Sequence, residues 1–175
     1  MLRRILINGL IAGLVAGIPI SGIALNLHIG GVWGMAVGYL FMLIAFSAIF
    51  LAIKRQRDEV QGGIIRFLPA LAMGVGISII AGILYALIWE AFTAMAHVDF
   101  GAAYARMMVN QAKAAGATGT ALAKAVAEAA EFQRQYANPL YRLPMTFIEI
   151  FPVGVLVSLI SAALLCNRRF MPARR

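Results

Sequence analysis

At 175 residues the chain has room for one domain, and 62% hydrophobic against 13% charged residues places it in the membrane class rather than among soluble folds. The net charge of +8 would suggest nucleic acid in a soluble protein, but the basic residues sit at the ends of apolar runs and no solvated, aromatic-interleaved basic face exists. Cys166, the one cysteine, excludes an internal disulfide.

Between Arg4 and Lys54 run 49 residues without an Asp, Glu, Lys or Arg. As one helix this stretch would be about 74 Å long, more than twice a hydrocarbon core of roughly 30 Å. It therefore reads as two spans, 5–27 and 32–53, folded back at His28-Ile29-Gly30-Gly31. Met1-Leu-Arg-Arg, Pro19 and Gly22-Ile23-Ala24 resemble parts of a cleavable signal. The apolar run is longer than a signal needs, so the first span is read as retained.

A charged loop follows over 54–66, with Arg55, Arg57 and Arg66 placed to hold lipid phosphates while Asp58 and Glu59 neutralise their neighbours. Gly62-Gly63 turns the chain into a third span at 67–92, and a fourth covers 143–166. Between them lies an insert, 93–142. Asp99 can cap a helix whose Phe100, Tyr104, Met107 and Met108 share a face, and Gly116 ends it. Thr118 or Thr120 caps a second helix carrying Leu122, Val126, Ala129, Phe132 and Tyr136 at helical spacing, stopped by Asn138-Pro139. The fold class expected is all-α, a four-transmembrane-helix bundle with an amphipathic helical hairpin between the third and fourth helices. The hairpin is either a lid on the bundle or lipid, or a docking surface with Phe100, Tyr104, Met107 and Met108 as its partner face.

Ten of the fifteen Lys and Arg fall at the ends shared by both termini and the 54–66 loop, and the other five fall on the insert side. That bias predicts cytoplasmic termini and, in a bacterium, a periplasmic insert in the inner membrane. Small residues recur every fourth position on each span: Gly9, Gly13, Gly17 and Ser21; Gly30, Gly34 and Gly38; Gly74, Ser78, Gly82 and Ala86; Gly154, Ser158 and Ala162. In lipid, close backbone approach must hold helices together, so four stripes predict a compact bundle and admit a homo-oligomer.

Glu90 and Glu149 are the only charged side chains within these spans, and an ionisable group at membrane depth is a functional candidate. Pro152 lacks the N–H that would bond the Ile148 carbonyl, so Glu149 lies beside a freed acceptor. Glu90 and Glu149 either face each other, as in a proton-coupled carrier, or each faces headgroups or the hairpin, paired with Arg142 or His97. His28 and His97 have no ligand-spaced companions, so no metal or cofactor is expected. No nucleophile motif, phosphate loop or HExxH occurs, so no catalytic residue is named and an enzyme is not expected.

The Lys54-to-Phe67 loop with its RDE-then-GG order, the Gly74-rich span ending in Tyr85, Val98-Asp99-Phe100, Asn138-Pro139-Leu140 and the basic close resemble a bacterial membrane family known as domain of unknown function 4199. The family often shows a proline beside the aspartate, where this chain has Val98-Asp99-Phe100, and the insert here is unusually alanine-rich. The resemblance implies four helices with a helical outer insert and brings no activity. Two functions remain: a non-catalytic structural or interaction component, or a small oligomeric carrier using Glu149, Glu90 and the Pro152 break.

Overall fold

A computed structural model describes residues 1–26, 31–96, 99–167 and 169–172. The expected turn at 28–30 and His97 lie outside them. The chain is all-helical: α1 (Leu2–Asn26), α2 (Gly31–Arg55), a π-helical turn (Gln56–Val60), α3 (Phe67–Ala96), α4 (Phe100–Ala114), α5 (Gly119–Tyr136) and α6 (Pro139–Leu165). Four of these helices, α1, α2, α3 and α6, are long and apolar enough to cross a membrane, as expected for a multi-pass membrane protein.

The spanning helices form a ring in the order α1, α3, α6, α2, and α2 and α3 also meet across it. Large apolar side chains such as Leu14, Leu43, Ile83 and Leu156 point outward, while Ser21, Ser78, Thr146, Ser158 and Ser161 are buried among Phe46, Ile49, Met73, Ile77 and Ile150. This distribution suits lipid, which solvates leucine as well as any core does.

Three of the small-residue stripes make the contacts expected of them. A Cβ on Gly9, Gly13 or Gly17 of α1 would come within 3 Å of Ile80, Leu84 or Ile88 of α3. The α3–α6 crossing is reciprocal: Gly74 lies under Ser158 and Gly154 under Ser78. Each serine hydroxyl donates to its own helix, Ser78 to the Gly74 carbonyl at 3.0 Å and Ser158 to that of Gly154 at 2.7 Å. On the second span Gly30 lies outside the described residues, and Gly38 departs from expectation. A Cβ on Gly38 would meet nothing within 4 Å, and α2 packs instead through Met42, Ala45, Phe46, Ile49 and Ile53. Bulky side chains, not close backbones, hold this helix in the ring.

The 54–66 loop is more helical than expected, because α2 continues to Arg55 and then widens into the π turn. Gly62 and Gly63, at φ 64° and 88°, reverse the chain, and the Gly63 N–H caps the Arg57 carbonyl at 2.8 Å. In the insert, Asp99 caps α4, accepting from the Ala102 N–H at 2.8 Å. Thr118 precedes α5 without a side-chain cap bond. Asn138-Pro139 does more than stop α5. The Asn138 side chain accepts from the Leu140 N–H at 3.0 Å and Pro139 opens α6, so the fourth span starts four residues earlier than the hydropathy suggests.

Candidate functional site

The densest polar cluster lies where the hairpin joins the bundle. The last turns of α3 present Trp89 and Glu90, and the cap at Asn138 starts α6 so that Arg142 falls in its first turn, opposite them. Arg142 Nε and Nη2 donate to the two carboxylate oxygens of Glu90, each at 2.5 Å. This is a fork-on-fork pair, the strongest geometry available to a guanidinium. Arg142 Nη1 donates to the Tyr136 carbonyl at 3.2 Å, and the guanidinium stands 5.6 Å from the Tyr136 ring centre. The Trp89 indole N–H donates to the Tyr136 hydroxyl at 2.7 Å. Burial pushes the Tyr136 phenol up to about 12, against a smaller downward pull from the Trp89 hydrogen bond, so it stays neutral at physiological pH.

Around this clamp runs a chain of rings. Phe100 meets Trp89 edge-on at 4.9 Å and Tyr136 at 5.7 Å; Tyr104 meets Phe132 at 5.0 Å, and Phe132 meets Tyr136 at 5.3 Å. The face expected to receive a partner is therefore partly engaged within the hairpin, with Tyr104 still exposed. Phe100 and Tyr104 join α4 to α5 and to Trp89, and Met107 and Met108 are half-buried. An amphipathic stripe on each of two short antiparallel helices is best buried by the other, which a reading of one helix at a time does not reveal.

A cavity of about 290 Å³ opens beside the clamp, lined by Thr93, Asp99, Phe100, Tyr136 and Arg142 among others. Its charged groups are engaged: Arg142 as above, and Asp99 with Ala102 and, at 3.5 Å, with Gln133 Nε2. The arrangement fastens helices.

Glu90 is spent on Arg142, the local pairing that the sequence offered as one alternative. Glu149, with no hydrogen bond or ion pair among the described residues, is exposed on the flank of α6, and Pro152 is exposed one turn along. No group of three or more His, Cys, Asp or Glu that could hold a metal ion occurs among the described residues.

At the opposite end, Arg55 and Arg66 are exposed where headgroups would lie, but Arg57 is not. Arg57 is 1% exposed; its guanidinium donates to the carbonyls of Phe170 at 3.0 Å, Leu165 at 3.5 Å and Met171, while Nε meets Asp58 at 2.6 Å. Its expected headgroup role is corrected accordingly: Arg57 continues the inward face of α2, four residues after buried Ile53, and lies beneath the returning C-terminal segment. Helical register separates it from Arg55: Arg57 follows buried Ile49 and Ile53, whereas Arg55 follows exposed Leu51.

Residues 6–167 match the family described as a protein of unknown function, DUF4199. The chain belongs to that family. The DUF4199 match takes in all four spans, the hairpin, the Glu90–Arg142 clamp and Arg57, in agreement with the resemblance drawn from the loop and cap residues. No curated protein and no solved structure matches the chain.

Proposed function

We propose that this DUF4199 protein is a non-catalytic component of a bacterial inner membrane that holds the α4–α5 hairpin out on the periplasmic side to engage another envelope protein. The hairpin's own cross-section carries this reading. Most of its aromatic rings meet one another, and its outward surface carries ion pairs, Lys124–Glu128 at 3.8 Å and Glu131–Arg134 at 2.7 Å along α5, beside exposed Tyr104 and Val126. Such a surface suits water and a folded protein partner, not burial in acyl chains. The base is tied to the bundle by charge-assisted and aromatic contacts, so the arm is held at a defined angle.

Photocrosslinking in native membranes tests this, with a probe at exposed Val126 or Lys113 and a control probe at lipid-facing Leu14. A stoichiometric adduct with one non-self protein from the hairpin positions, absent from the control, is expected. Adducts confined to lipid or to the chain itself would remove the docking role. The carrier reading loses one of its two carboxylates to Arg142, leaving Glu149 alone.

A further inference from the structure

The cavity of about 290 Å³ beside the clamp lies where two spans end, with Ala94 near the close of α3 and Arg142 in the first turn of α6. Next to these in the chain stand Met95 and Leu140, 78% and 82% exposed, the two most exposed large hydrophobic side chains among the described residues. Apolar groups so placed at the ends of spans belong in acyl chains, which sets the cavity at headgroup level.

Its charged walls are engaged but not exhausted. A guanidinium has five N–H groups, and Arg142 uses one on Nε, one on Nη1 and one on Nη2, which leaves two. Asp99 is exposed. Its Oδ1 accepts from the Ala102 N–H at 2.8 Å, while Oδ2 has only the Gln133 amide at 3.5 Å. Glu90 cancels the charge of Arg142, so Asp99, with no ion pair among the described residues, carries the net charge of the site. Phe100 and Tyr136 add ring surface to the lining, which suits an ammonium.

We propose that this cavity holds the headgroup of a phospholipid bearing a primary amine, its ammonium on Asp99 and its phosphate on the free N–H groups of Arg142. Walls of opposite charge match a ligand that carries both charges a few atoms apart. The volume falls at the lower end of the roughly 300–1,000 Å³ range of ligand pockets, so it takes a headgroup and leaves the acyl chains outside, along Met95 and Leu140. One lipid then bridges α3, the start of α4 and the start of α6. The proposal is independent of what the hairpin binds, because the site lies at its base.

The test is native mass spectrometry of the full-length chain in detergent with phosphatidylethanolamine or phosphatidylglycerol of identical acyl chains. The second lipid carries a neutral glycerol where the first carries the ammonium. One charge-assisted hydrogen bond predicts that the wild type holds a single phosphatidylethanolamine roughly tenfold more tightly. Equal retention of the two lipids overturns the proposal before any variant is made. Asp99→Asn keeps the cap of α4, since asparagine caps as well as aspartate, and should erase the preference. Ala94→Phe, at an exposed position on the wall, should fill the space and weaken both lipids. Hydrogen exchange in α4 and α5 at the wild-type rate shows that each variant keeps its hairpin folded. Lipid binding that either variant leaves as in the wild type places the headgroup elsewhere and overturns the proposal. Water-soluble phosphoethanolamine should compete only weakly; competition at the affinity of the whole lipid would make the ligand a free solute and overturn the lipid assignment.

Discussion

Trp89 and Tyr136, 47 residues apart in the chain, are joined by an indole-to-phenol hydrogen bond of 2.7 Å that ties the end of α3 to the end of α5. Both side chains are buried, so each polar tip relies on the other. Tyr136→Phe should leave the Trp89 N–H buried without an acceptor, at a cost of about 1–3 kcal/mol. Faster hydrogen exchange through α4 and α5, with α1–α3 unchanged, would register it.

The same tyrosine predicts an alkaline transition. Its folded pKa, about 12, lies above the ordinary value of 10.0. Folding thus favours the protonated phenol, and the stabilisation is complete below about pH 10 and lost as pH rises through about 12. Trp89 fluorescence in detergent should report hairpin release across that window, and Tyr136→Phe should abolish the step.

Glu90 and Arg142 form the second fastening, each about one-fifth exposed. Glu90→Gln should loosen the hairpin by roughly 1–3 kcal/mol. Arg142→Met should cost more, because it also strips the Tyr136 carbonyl of its donor. A double-mutant cycle read by limited proteolysis at the hairpin should show strong coupling; additive effects would mean that the pair is decorative.

At the α3–α6 crossing, a Cβ on Gly154 would sit 2.6 Å from Ser78 Oγ and 2.9 Å from Phe46 Cζ. Gly154→Leu should therefore destabilise by about 1–3 kcal/mol or more. Gly38→Leu, into open space, should be near neutral. Thermal unfolding of the two variants in detergent separates a packing glycine from one that merely falls in register.

The four spans and both hairpin helices were legible because hydropathy and capping residues act locally: Asp99 and Gly116 mark their helix whatever surrounds it. Small residues marked three of the four stripes, and failed at Gly38, because spacing reports the possibility of close approach and not the presence of a neighbour. The Phe100 and Tyr104 face was recognised as apolar, but its ring contacts with α5 and Trp89 were not, since each helix was read by itself. Arg57 was assigned by its charge and its place in a basic loop, although it falls four residues after buried Ile53, on the inward face that α2 has already set.

Arg57→Met should free the segment after Leu165. Three carbonyls lose their donor, at a cost of about 3 kcal/mol. Protease cleavage beyond Cys166 should become rapid while the spans stay protected, and Arg57→Lys, which lacks the planar fork, should restore little of the wild-type resistance.

The Arg57 contact also has an order in time. A ribosome makes this arginine more than a hundred residues before the carbonyls of Phe170 and Met171 that receive it, and α3, the hairpin and α6 must all be inserted in between. Until then a guanidinium meant for the interior has only Asp58 and water to satisfy it. Assembly is therefore sealed from beyond α6: the carbonyls of Leu165, Phe170 and Met171 cover this charge only once α6 has entered the membrane, and a chain that stalls before them carries an uncovered guanidinium beside α2.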